Sequence, residues 1–136
     1  MAKLVIKDAV VIVAGTTITD NVAAVTINSE AAEVVTTSFG SGGAVTRVSG
    51  LIDNSVTFSI HNDYPAIDAL FLPLVGSTAV PVTVKPAGTA NAGTATPHYE
   101  FNALITNWTP VNGAVGELNT ADVTFPISGA ITKKVS

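Results

Sequence analysis

The stretch Arg47–Gly76, RVSGLIDNSVTFSIHNDYPAIDALFLPLVG, holds both rhythms from which the fold can be read. In its first half Val56, Phe58 and Ile60 alternate with Ser55, Thr57, Ser59 and His61. A period of two marks a strand with one face buried. At Asp63 the rhythm changes. Asp63 or Tyr64 can cap a helix, and Pro65 suits the first turn, where its missing N–H has no intrahelical partner. Ile67, Leu70, Phe71 and Leu74 then recur at helical spacing as one apolar stripe. Pro73 and Gly76 end it, which predicts a single short helix over about residues 64–74. Nothing else in the chain has helical periodicity, so this helix is expected to plug an open side of a small sheet.

Outward from that stretch the chain is a succession of strands. Residues 3–13 form a first strand, with Ala14–Gly15–Thr16 as its turn. Val22–Glu30 is a second, and Glu33–Phe39 continues it or pairs beside it. Phe39-Gly40-Ser41-Gly42-Gly43 is a loop, because glycine adopts backbone conformations closed to other residues. Ala44–Ser49 is a further strand, and Gly50–Asn54 a turn into the strand described first. Val80, Val82 and Val84 share one face of Ala79–Lys85. The low-complexity run from Lys85 to Pro97 is an exposed, mobile loop. His98–Trp108 reads as a long strand with Tyr99, Phe101, Ala103 and Ile105 on one face and Trp108 on the other. Pro110–Gly116 turns. Glu117–Ile127 returns with Ala121, Val123, Phe125 and Ile127 inward, and Ala130–Val135 is a last short strand. The fold class is therefore mainly β, an antiparallel sandwich or partly rolled barrel with one helix, in one domain spanning 1–136 without internal repeat.

The composition narrows what such a fold is for. Only 12% of the 136 residues are charged, against roughly 25% in an average soluble domain. With a mean hydropathy of +0.48, a monomer would expose much apolar surface. No uncharged stretch is long and unbroken enough for a spanning helix, since Ala69–Val84 and Pro86–Tyr99 are interrupted by Pro, Gly or Thr. At the N-terminus Lys7 and Asp8 break the apolar run that a signal peptide would need, so it reads as strand. Burial against other copies is the remaining way to cover the surface. The net charge is −4, and six scattered basic residues form no stripe that could grip phosphates.

Catalytic and metal chemistry find no foothold. There is no cysteine, which excludes disulfides and thiolate sites. His61 lies on a polar strand face beside Asn62 and Asp63, but no serine stands in a nucleophile elbow. His98 opens a strand after a loose loop. Glu30 and Glu33 are three residues apart on a strand and point to opposite faces unless a bulge intervenes. The FGSGG loop lacks the lysine and following helix of a phosphate cradle. Asn107-Trp108-Thr109 matches a glycosylation sequon with no secretory signal to support it, and Trp108 reads as a packing or interface residue. The chain is expected to be no enzyme and to take no metal or cofactor.

Two segments then become informative together. SFGSGGAVTRVSGLIDNSVTFSIHNDYPAIDALFLPLVGS resembles the central part of the major tail tube proteins of long-tailed, non-contractile (siphovirus-type) bacteriophages. There, a T-x-F-G segment leads through a glycine turn and an aromatic-rich strand to an acidic-Tyr dipeptide and a short helix. NWTPVNGAVGELNTADVTFPISGAITK resembles that family's C-terminal part, with its P-x-x-G-x-V-G-[DE]-L turn, a strand ending in Phe-Pro, and Gly-Ala-Ile-Thr. With the strand pair of Val22–Thr37, the likeness covers roughly residues 22–134. The resemblance implies homo-hexameric rings whose strands form a continuous barrel, stacked into a tube that carries DNA during genome ejection. It implies a virion location after assembly in the host cytoplasm. The implied partners are further copies of the chain, tail terminator and tail-tip or baseplate proteins, and tape measure protein. Double-stranded DNA occupies the lumen without sequence-specific binding, and no membrane is involved. Tail terminators, capsid decoration proteins and secretion-tube subunits are the alternative reading. On the resemblance, Glu30, Glu33, Asp53, Glu117 and Asp122 are candidate channel-lining acids, because a conduit for a polyanion should repel it weakly. Trp108, Phe39 and His98 are candidate inter-subunit contacts. The Pro86–Pro97 loop and both termini are candidates for contact between rings.

Overall fold

A computed structural model describes residues 5–88 and 91–135. Residues 3 and 4 of the predicted first strand, and two residues of the predicted Lys85–Pro97 loop, lie outside them. Eight strands are joined antiparallel into one sheet: β1 (Val10–Val13), β2 (Thr16–Thr17), β3 (Val22–Val35), β4 (Arg47–His61), β5 (Val80–Lys85), β6 (His98–Ala103), β7 (Thr120–Ile127) and β8 (Thr132–Lys134). Their order is β2-β1-β5-β6-β7-β4-β3, with β8 pairing β6 off this path. The sheet does not close on itself, and β2 and β3 are its two edges.

The alternating apolar residues build the core as the pattern predicts. Val56, Phe58 and Ile60 of β4 lie opposite Phe125, Val123 and Ala121 of β7, and all six are buried. Val80, Val82 and Val84 of β5 join them, with Val11 and Val13 of β1 and Phe101 and Ala103 of β6. Between β1 and β2 the turn uses Ala14 and Gly15 at φ 51° and 81°, the paired positive φ of a two-residue hairpin turn that matches strand twist.

The predicted helix spans the predicted residues, as three consecutive pieces: a π turn Tyr64–Asp68, an α turn Ala69–Phe71 and a 3-10 turn Leu72–Leu74. Its start is capped by backbone rather than side chain. The Asp63 carbonyl accepts from the N–H groups of Ala66, Ile67 and Asp68 at 3.1, 2.6 and 3.2 Å, and the Asp63 carboxylate makes no cap bond. Ile67 and Phe71 carry the apolar stripe inward. Phe71 stacks on Trp108 at 4.7 Å and lies 6.0 Å from Phe125, so the helix does cover one side of the sheet.

Three boundaries differ from the sequence reading. Gly50–Asn54 is no turn, because β4 runs unbroken from Arg47 to His61 beside β3. A register shift between Ala31 and Glu33 absorbs the irregularity that Gly50 suggested. Val22–Glu30 and Glu33–Phe39 merge for the same reason: two strands that keep pairing override local turn propensity. β6 stops at Ala103, five residues earlier than predicted. The chain then leaves the pleat, so Ile105 and Trp108 are both buried although strict alternation puts them on opposite faces. The Lys85–Pro97 run is partly packed, with Gly88 buried against Asp8 and its neighbours half-buried.

Candidate assembly surface

β4 pairs with β7 only from Asn54 to His61, so towards Arg47 its sole neighbour is β3. The remainder of the two strands is a two-stranded arm, and residues 28–40 and 42–53 are exposed throughout. Val34 and Val35 are adjacent in sequence, as are Leu51 and Ile52, and adjacent strand residues point to opposite faces. All four are exposed, Leu51 at 87% and Ile52 at 68%, so neither face of the arm is covered. At the tip, the Thr36 and Thr46 hydroxyls meet at 2.9 Å, and a capping box between Ser38 and Ser41 holds a 3-10 turn. Gly42 and Gly43 return the chain at φ 65° and 85°. Phe39, in that turn, is fully exposed at 108%. A bare two-stranded ribbon is marginal in water, and an open edge invites another chain.

The sheet surface opposite the core has a different character. On β3, β4 and β7 it presents Thr26, Asn28 and Glu30, then Asp53, Ser55, Thr57 and Ser59, then Asp122 and Thr124. Residues directly opposite across an antiparallel pair share a face. Glu30 faces Asp53, Ser59 faces Asp122, and the Thr57 and Thr124 hydroxyls meet at 3.1 Å. These stretches carry three carboxylates and no Lys or Arg. The fold thus brings Glu30, Asp53 and Asp122 onto one smooth face of small polar residues. The other two acids lie elsewhere. Glu33 sits beyond the register shift and pairs with Arg47 at 2.8 Å, both side chains being more than half exposed. Glu117 lies in the loop before β7, where the Ala114 N–H reaches its Oε2 at 3.4 Å.

Of the three contact candidates, Phe39 is at the arm's tip. Trp108 is inside this chain at 9% exposure, and its Nε1–H donates to Asp68 Oδ1 at 2.8 Å. Its ring thereby fastens the segment after β6 to the helix, which is the packing role. His98 is half-buried at the start of β6, opposite Lys134 of β8. Sequence reasoning missed a polar fastening of the 110–119 loop. There the Pro110 carbonyl accepts from Asn62 Nδ2, Tyr64 Oη and Asn119 Nδ2 at 2.8, 3.0 and 3.2 Å. It also missed the arm, for which the apolar doublets Val34-Val35 and Leu51-Ile52 inside exposed strands were the available signal.

Among the described residues, no three His, Asp or Glu side chains gather as a metal site, and no helix is long and apolar enough to cross a membrane. What the surface does offer is backbone edges and apolar side chains without partners in a single chain. No family model and no curated protein matches the sequence. Among solved structures, a chain from the virion of a native gene transfer agent (GTA) particle is similar, with a TM-score of 0.75 and 16% identity over 96% of this chain and 98% of that one. At that identity the likeness is one of fold.

Proposed function

We propose that the chain is the structural subunit of a phage-type tail tube, closing into hexameric rings that stack around a channel for DNA. The observation that carries this reading is the arm, exposed on both faces at the rim of a sheet with two free edges. A neighbour's strands would satisfy those edges, and rotation would close them into a ring; an arm reaching along the axis would link one ring to the next. A fold shared nearly end to end with a chain of a GTA virion supports a virion role. The chemistry asked of such a subunit is mechanical. The face bearing Glu30, Asp53 and Asp122 would line the lumen and keep a polyanion sliding rather than bound. In this reading the chain has no catalytic step, and its partners are its own copies, the proteins that end the tube, and the tape measure and DNA within it. The test is negative-stain microscopy of the purified full chain across a concentration series. Long tubes with a central channel are expected. Rings that never stack would point to a terminator or decoration role, and monomers at every concentration would overturn the proposal.

A further inference from the structure

Where the arm leaves the sheet, two apolar recesses adjoin. One, of about 510 Å³, is walled by Val25, Ile27, Tyr99 and Ile131; the other, of about 390 Å³, by Ile52, Ile127 and Asn54. Ser29 and Ile131 line both, so they form one trough. Asn54 is 5% exposed, and its Nδ2 donates to the Gly129 carbonyl at 3.2 Å. Its Oδ1 is buried and has no partner within the chain. A buried acceptor left without a donor costs free energy comparable to a lost hydrogen bond. The trough therefore asks for an apolar group that brings a donor with it.

This chain carries such a group. Seven large apolar side chains between Val34 and Ile52 are exposed. Together they present several hundred Å², the scale of one side of a standard interface at about 800 Å². Phe39 at their tip is the largest and most exposed of them, beside a glycine-rich turn that leaves backbone open to approach. From Ser29 to Phe39 an extended chain spans about 30 Å, close to the roughly 35 Å diameter of a domain this size. The tip therefore stands too far out to reach its own trough, but it reaches that of a copy displaced by one arm length. Such a tip-to-base contact repeats without closing, as an axial assembly requires.

We infer that the trough at the arm's base receives the Phe39 tip of a second copy's arm, with a backbone N–H of that tip donating to Asn54 Oδ1. The inference rests on the stacking reading above. Because the chain has no cysteine, disulfide trapping can test it directly. Gly40→Cys, beside Phe39 and at ordinary backbone geometry, is mixed with a second full-length chain carrying Ala130→Cys at the exposed trough rim. A disulfide needs the two Cα atoms within about 7 Å. Mixed disulfide dimers are expected in assembled material. Adding Phe39→Asp to the Gly40→Cys chain should lower their yield at least about tenfold, as for loss of a buried anchor. Channelled tubes without this cross-link overturn the docking and leave the tube reading standing. Cross-linking of Ala130→Cys to Val115→Cys instead assigns the trough to the Val111–Leu118 loop and likewise overturns it. If neither assemblies nor cross-links form at any concentration, the stacking reading fails and takes this inference with it.

Discussion

Replacing Leu51 and Ile52 together by Thr separates what holds this subunit together from what would hold subunits to one another. Both lie on the arm, at 87% and 68% exposure, and Thr keeps the strand preference of the positions. Surface substitutions that touch nothing else change stability by about 0.5 kcal/mol or less. For a chain of this length that moves Tm by no more than about 3 °C. In an assembly that covers the arm, the same side chains would each contribute about 1–2 kcal/mol, scaled from about 25 cal/mol per Å² of apolar surface. A loss near 3 kcal/mol raises the critical concentration for polymer about a hundredfold, since 1.4 kcal/mol is a factor of ten. Sedimentation across a dilution series reads that concentration, and calorimetry reads Tm on the dispersed chain. A large fall in Tm would mean that these residues pack within the subunit. An unchanged critical concentration with an unchanged Tm would mean that the arm is not an interface. Either result refutes the reasoning.

Trp108→Ala should behave in the opposite way, removing a ring stacked on Phe71 and bonded to Asp68, and costing about 3–5 kcal/mol of subunit stability in denaturant titration. Trp108→Phe should cost less, because the stack is largely kept. Gly88→Ala should destabilise by more than about 1 kcal/mol, because φ is +72° and the new Cβ would stand 3.0 Å from the Asp8 carbonyl oxygen; Gly15→Ala, at φ +81° with nothing within 4 Å, isolates the backbone part of that cost in the same titration. Breaking the exposed Glu33–Arg47 pair with Arg47→Ala should leave the unfolding midpoint nearly unmoved, by less than about 0.5 kcal/mol. Reversing Glu30 and Asp122 to Lys should slow genome ejection and make assembled tubes retain DNA at low salt, with release as salt rises; ejection kinetics equal to the parent's would remove these acids from the channel.

The core was legible because each buried position repeats with period two and the helix with period 3.6. Val56, Phe58, Ile60, Ala121, Val123, Phe125 and Ile127 could all be placed from alternation alone. The errors share one cause. Gly50–Asn54 has turn composition, yet β3 runs beside it and the ladder holds. Trp108 was assigned to a polar face by extending an alternation past Ala103, where the strand had ended. A local pattern cannot report where pairing stops, since that depends on a strand distant in sequence. The assembly surface was harder for a related reason. Periodicity marks residues that face one core, and an arm bare on both faces has none. Glu30, Asp53 and Asp122 could be named from the sequence, but the register that puts Glu30 opposite Asp53 and Asp122 opposite Ser59 is a tertiary fact.

That register carries an argument about purpose. Two carboxylates facing each other across a strand pair are unfavourable, and on the β4–β7 side Asp122 adds a third to the same face. Solubility alone does not call for this arrangement, because charges of both signs scattered over the surface keep an apolar chain dispersed at less cost. Here the bases are kept apart from the acids. Of the described ones, Lys7 and Lys85 lie at or before the far edge strands, Lys133 and Lys134 in β8, and Arg47 on the arm beside Glu33. The intervening side chains on the face are small and polar, and the Thr57–Thr124 hydroxyl pair satisfies itself. A surface that is acidic, smooth and free of cations gives up a little stability to avoid holding on to a polyanion. Where a sequence breaks a local rule consistently over three strands, the rule is being overridden for function, and weak repulsion of DNA is the function that needs this combination.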